Sequence, residues 1–147
     1  MDEGGKTMLI GEYRPSLDAK GRVNFPSKLR EALGESFVIT KGLDNCLSVY
    51  RMEEWKKLEE QTAALPLSKA RTIQRFIFAG AVCVEPDKQG RVLIPQSLRD
   101  YAGISTGEVA IIGVSNRAEI WNVERWEAAN AELTGESIAE AMDELGF

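Results

Sequence analysis

Residues 18–30 read Asp-Ala-Lys-Gly-Arg-Val-Asn-Phe-Pro-Ser-Lys-Leu-Arg, and residues 87–99 read Asp-Lys-Gln-Gly-Arg-Val-Leu-Ile-Pro-Gln-Ser-Leu-Arg. At this offset of 69, seven of the thirteen positions are identical: Asp, Gly, Arg, Val, Pro, Leu and Arg. The likeness continues downstream, where Leu47-Ser48-Val49-Tyr50 and then Trp55 answer Ala118-Glu119-Ile120-Trp121 and then Trp126, now at an offset of 71. A chain that repeats itself folds as copies of one supersecondary unit, so the repeat constrains the architecture more than any single motif does.

Each copy predicts the same local elements. An apolar run (8–10; 81–84) reads as a strand that feeds a polar turn containing Gly21 or Gly90. A short second strand follows (22–25; 91–94). Pro26 and Pro95 stop it, because proline has no N–H for a ladder, and start a short helix that ends near Gly34 or Gly103. Two more strands complete the unit, 37–41 with 46–51 and 109–113 with 118–122, before a helix carrying Trp55 or Trp126. These boundaries give a first repeat over 8–55, a connecting helix over 65–80, a second repeat over 81–126 and an acidic tail over 134–147. The connector has Ser68 as its expected N-cap, places Ile73, Phe76 and Ile77 at helical spacing, and contains no acid. Four short strands with open edges are hard to stabilise alone, so the two copies are expected to cover each other in one pseudo-twofold domain.

Composition removes several chemistries. The 147 residues include no histidine, so Ser-His-Asp and Cys-His catalysis and the usual zinc sites are not available. Cys46 and Cys83 lie 37 positions apart in apolar runs with no C-x-x-C, which reads as two buried free thiols in a reducing compartment. No run approaches the roughly 20 apolar residues of a membrane span. The start, Met1-Asp2-Glu3-Gly4-Gly5-Lys6, lacks the apolar core of a signal peptide, so a cytoplasmic location is expected. Glu53-Glu54 and Glu59-Glu60 read as a solvated helix face and not as an acid-base pair, and the glycines lack the spacing and lysine of a phosphate loop. Neither an enzyme with a small-molecule substrate nor a cofactor is expected.

The net charge of −5 is unevenly distributed. From Glu119 onward there are eight acids and one arginine, net −7, so residues 1–118 carry +2. Between Arg14 and Arg30 stand Arg14, Lys20, Arg22, Lys28 and Arg30 against Asp18 alone. Asp18 with Arg22 and Asp87 with Arg91 set a carboxylate and a guanidinium across a glycine turn. That pattern suits a salt bridge fixing the hairpin, and it suits equally an oriented guanidinium ready for guanine or phosphate. Lys20, Lys88 and the surrounding bases favour the second use without excluding the first.

The doubled Asp-x-x-x-Arg turn, its Gly-Arg-Val-x-x-Pro-x-x-Leu-Arg continuation and Ala118-Glu119-Ile120-Trp121 before Trp126 resemble the MraZ family of bacterial regulators, in the AbrB/SpoVT-like superfamily. The likeness runs from about residue 8 to 128; residues 1–7 and the tail after Leu133 have no counterpart in it. The resemblance implies an α+β, mainly β fold, a double-split, swapped-hairpin barrel built from two tandem AbrB-like repeats with short flanking helices. It also implies a nucleoid-associated homo-oligomer larger than a dimer, ring-shaped, that binds double-stranded DNA at short direct repeats in the promoter of its own division and cell-wall gene cluster. By matching positions, DNA contact falls on Lys20, Arg22, Lys88 and Arg91, with Arg14 among the supporting bases, and Asp18 and Asp87 orient the arginines. Gln89 stands where the first turn has Lys20, so the second turn is less cationic. A different class of function, an antitoxin-like interaction module, would use the tail: Ile138, Met142 and Leu145 interleave with Glu136, Glu140, Asp143 and Glu144, a pattern that suits either a partner helix or a solvated, disordered end.

Overall fold

The computed structural model describes residues 8–147; the stretch before Met8, read above for a targeting signal, lies outside the described residues. The first half contains strands β1 (Leu9–Tyr13), β2 (Ser16–Leu17) and β3 (Arg22–Asn24), helix α1 (Ser27–Leu33), strands β4 (Phe37–Lys41) and β5 (Leu47–Arg51), and helix α2 (Met52–Ala63). Helix α3 (Leu67–Ile73) connects the halves and runs on into a π-helical turn, Gln74–Phe78. The second half contains β6 (Val82–Val84), β7 (Arg91–Leu93), α4 (Gln96–Ala102), β8 (Gly107–Ser115), β9 (Ala118–Asn122) and α5 (Val123–Ala131). Helix α6 (Gly135–Glu144) occupies the acidic tail.

The strands pair antiparallel in the order β6-β4-β5-β9-β8-β2-β3-β7, with β1 also on β8, and close most of the way round a shared core as a barrel. The halves exchange strands: β1 from the first lies on β8 of the second, and β6 from the second lies on β4 of the first. Two further pairings join equivalent strands. In β3–β7, Val23 faces Val92, and in β5–β9, Ser48 faces Glu119. These pairs are each other's counterparts at the repeat offsets, so a pseudo-twofold axis passes through both. The core draws on both halves: Leu17, Val23, Phe25, Leu29 and Phe37 pack with Val92, Ile94, Leu98, Ile111 and Ile120. A smaller cluster, Cys46, Ala110, Ile112 and Trp121, sits beneath α5 and Trp126.

Local chemistry explains the element ends. Pro26 and Pro95 take the extended conformation before α1 and α4, with φ −56° and −59°, and end β3 and β7 one residue sooner than expected. Pro66, and not Ser68, stands at the N-cap of α3. The connector then widens where the Ala79 N–H reaches back to Gln74 O and the Thr40 hydroxyl donates to Ile77 O. The expected burial of both thiols holds for Cys46 only. Cys83 is exposed, because β6 is an edge strand paired on one side and its alternation turns Val84 inward and Cys83 out. Helix α6 begins with a reciprocal Thr134–Ser137 capping box and buries none of its residues against this chain. Among the described residues no helix is long and apolar enough to cross a membrane.

Candidate nucleic-acid interface

The two Asp-x-x-x-Arg segments fold into nearly superimposable hairpins. In the first, the Gly21 N–H donates to Asp18 O at 3.0 Å and the Asp18 N–H to Arg22 O at 2.8 Å. Gly21 has φ +90°, the left-handed conformation that closes a three-residue turn and that other residues adopt at a cost. The Asp18 carboxylate is divided: Oδ1 accepts from the Lys20 and Arg22 main-chain N–H groups, both at 2.9 Å, and Oδ2 accepts from Arg22 Nε at 3.0 Å. In the second hairpin, Asp87 Oδ1 accepts from the Gln89 and Arg91 N–H groups at 2.9 Å and Oδ2 from Arg91 Nε at 2.9 Å, with Gly90 at φ +82°. The Arg22 main-chain N–H bond, seconded by its guanidinium, holds the Asp18 carboxyl below the usual carboxylate range, and Arg91 does the same for Asp87. The hairpin salt bridge and the oriented guanidinium are one arrangement.

The β3–β7 ladder brings the two arginines together. Arg22 faces Leu93 and Asn24 faces Arg91, while Val23 and Val92 point into the core. Arg22 and Arg91 are thus diagonal neighbours about 7–8 Å apart on the outer face of one two-stranded ribbon. The same face presents Asn24 and Leu93, both exposed, the latter at 54%. The ladder is extended at both ends by Phe25 N–H to Gly90 O, 2.9 Å, and Ile94 N–H to Gly21 O, 2.8 Å, so each turn is hydrogen-bonded to the other half. A two-stranded ribbon is one of the shapes that the DNA major groove admits.

The remaining predicted residues divide. Lys20 and Lys88 are exposed on their turns. Arg14 is drawn elsewhere: its guanidinium meets Glu12 at 2.7 Å, Glu127 at 3.4 Å and Glu108 at 3.7 Å, so its charge is already matched inside the chain. Asn24 and Leu93 escaped the sequence reading, because alternation marks them as outward only once the strand register is known. Arg30 and Arg99 close the two repeated segments, and each crosses to the opposite turn. A Cβ on Gly21 would lie 2.7 Å from Arg99 Cζ, and one on Gly90 would lie 2.8 Å from Arg30 Cζ. Their recurrence at equivalent positions was the available signal. Among the described residues no three Cys, Asp or Glu side chains gather as a metal site would require.

The MraZ protein family model, whose description also carries the term "antitoxin-like", matches this chain twice in tandem, over residues 8–76 and 77–145, the second match reaching into the tail. A protein called transcriptional regulator MraZ from Caldicellulosiruptor bescii is 57% identical over 144 residues, covering 95% of this chain and all of its own. Proteins of the same name from Acetivibrio thermocellus and Clostridium tetani are each 54% identical over 95% of this chain and all of their own lengths.

Proposed function

The chain belongs to the MraZ family, and on that premise we propose that it is a transcriptional regulator that binds double-stranded DNA in a sequence-specific manner through the β3–β7 ribbon. Its site on DNA is a set of short direct repeats upstream of its own division and cell-wall gene cluster, which it represses as a ring-shaped homo-oligomer larger than a dimer. One observation carries this reading: the two distant Asp-x-x-x-Arg turns are folded onto one ribbon, with each arginine pinned at Nε by its own aspartate. That leaves the forked end of each guanidinium for an outside partner, and the fork matches guanine O6 and N7 or a phosphate. Arg22 and Arg91 are the principal contacts, Lys20 and Lys88 add charge from the turns, and Asp18 and Asp87 hold the arginines in place. Arg14, whose guanidinium meets three carboxylates of this chain, is the least available of the candidate bases. One ribbon reaches few base pairs, so several copies on repeated boxes raise affinity through effective concentration.

The test is fluorescence anisotropy of the pure protein on its own upstream duplex, titrated in salt. Counterion release makes log affinity fall linearly with log salt, by about 0.9 per phosphate contact. A flat response removes DNA as the partner. Light scattering that reports a stable particle of 16.3 kDa, the mass of one chain, removes the oligomer.

A second reading draws on helix α6, an amphipathic helix with Ile138 exposed, Leu145 exposed at its C-cap and no residue buried against this chain. In it the barrel serves as an antitoxin-like module that offers α6 to a protein partner. Deleting residues 134–147 separates the two, because promoter binding survives the deletion under the first reading and a co-purifying partner is lost under the second.

A further inference from the structure

Arg99 and Arg30 perform the same task in the fold. Arg99 Nε donates to Ile94 O at 2.8 Å and Arg30 Nε to Phe25 O at 3.0 Å, which fixes each guanidinium over the turn glycine of the opposite half. Gly21 and Gly90 are buried under these arginines, which are themselves half-buried. Neither arginine forms an ion pair among the described residues.

Their surroundings differ. Arg30 lines a cleft with Glu31, Glu35 and Glu85, and with Asp87, which Arg91 already engages as Arg22 engages Asp18. Arg99 lies against Gly21, whose chain neighbours are Lys20 and Arg22. The acids nearest to it in the chain and in that turn are already engaged, Asp100 by Gln96 at 2.7 Å and Asp18 by Arg22. The first turn thus carries Lys20 and Arg22 with Arg99 laid on its glycine, and its one carboxylate, Asp18, is spent on holding Arg22. Like charges gathered in this way repel one another until an anion enters.

We propose that Arg99, delivered from the second half of the chain to the first turn, binds a DNA backbone phosphate beside Lys20 and Arg22. The inference rests on the DNA-binding reading above and adds to it a residue and a division of roles. The ribbon arginines project from strands and reach base edges. Arg99, tethered by Nε to Ile94 O and laid over Gly21, keeps its terminal nitrogens for an outside partner, which in this proposal is a phosphate. Contacts of that kind position a protein on the duplex without reading sequence. Arg30 has the same geometry in an acidic cleft and takes no phosphate, so it serves as the internal control.

The experiment measures anisotropy on the upstream duplex and on a scrambled duplex across a salt series for wild type, Arg99→Ala and Arg30→Ala, with thermal melts alongside. Arg99→Ala is expected to weaken binding to both duplexes equally and to lower the salt slope by about 0.9 for each copy touching the duplex. Arg30→Ala is expected to keep the wild-type slope, while both variants lose a similar amount of melting temperature. Equal slopes for Arg99→Ala and wild type, or equal slope changes in both variants, overturn the proposal. If Arg99→Ala does not fold, phenylglyoxal labelling of the wild-type protein decides: the upstream duplex should shield Arg99 and leave Arg30 reactive, and equal shielding overturns it. Wild-type protein that binds neither duplex defeats the DNA reading itself. A steep wild-type slope that Arg99→Ala leaves intact defeats this inference alone.

Discussion

Replacing Arg22 with alanine is predicted to cost DNA discrimination and little stability. The side chain is 34% exposed on the outer face of the ribbon, and the inward face of β3 is carried by Val23, so the substitution removes no core atom. Its bond to Asp18 is solvent-screened and contributes little to the fold. What is lost is the fork that Asp18 holds in place. A bidentate guanidinium contact to guanine discriminates against the wrong base by about 1–3 kcal/mol, a loss of preference of roughly 5- to 150-fold. Arg91 has its own aspartate and lies about 7–8 Å away, so the two losses should add to within about 0.5 kcal/mol and the double variant should fall to non-specific binding. The assay is anisotropy on cognate and scrambled duplexes at one fixed salt concentration, with thermal melts of each variant. If Arg22→Ala unfolds the protein, or keeps the wild-type preference between the two duplexes, the turn is a structural bridge and the contact assignment is wrong.

Three other outcomes are expected. A Cβ at Gly113 would lie 2.4 Å from Ile10 N and Leu9 C, main-chain atoms that cannot swing aside; Gly113→Ala should therefore loosen the β1–β8 exchange and cost about 1–3 kcal/mol of stability, and an unchanged melting temperature would contradict this. Asp18 and Asp87 have folded-state carboxyls held below their ordinary 3.8; their contribution is fully present above the unfolded value and is lost as pH falls through the lowered one, so Asp18→Asn with Asp87→Asn should flatten the acid limb of the stability curve below about pH 4, and an acid limb as steep as wild type argues against it. Burial, seconded by the Glu119 carboxylate, pushes the Cys46 thiol up to about 11, whereas Cys83 is exposed; a thiol reagent at pH 8 should label one cysteine rapidly and the second only on unfolding, and two fast thiols would refute the burial of Cys46.

What could be read in advance was local. Asp18-x-x-Gly21-Arg22 closes a turn through bonds that span four residues, and Pro26 and Pro95 act on their own strand ends, so both copies could be outlined from the chain itself. Partner choice among strands is not local. The apolar run 81–84 reads as a strand, yet only its edge position on β4 decides that Cys83 faces solvent. Arg14 illustrates the same limit with charge: the sequence shows it as one base among five near the first turn, and only the fold shows that Glu108 and Glu127 of the opposite half lie on its guanidinium. Arg22 and Arg91 were legible as a motif but not as neighbours, because that depends on the register of β3 on β7.

That register has a further consequence for orientation on DNA. A ribbon whose strands are related by a dyad can be turned end for end and present nearly the same surface, so symmetry alone gives it no reading direction. Boxes repeated head to tail do have a direction. If the ribbon reads direct repeats as proposed, polarity would come from the few outward positions at which the halves differ: Asn24 against Leu93, Lys20 against Gln89, and Ala19 against Lys88. An amide can take adenine N6 and N7 where an aliphatic group can only press on a thymine methyl. These mismatched positions, small departures from the repeat, are what would let successive subunits face the same way along a row of boxes.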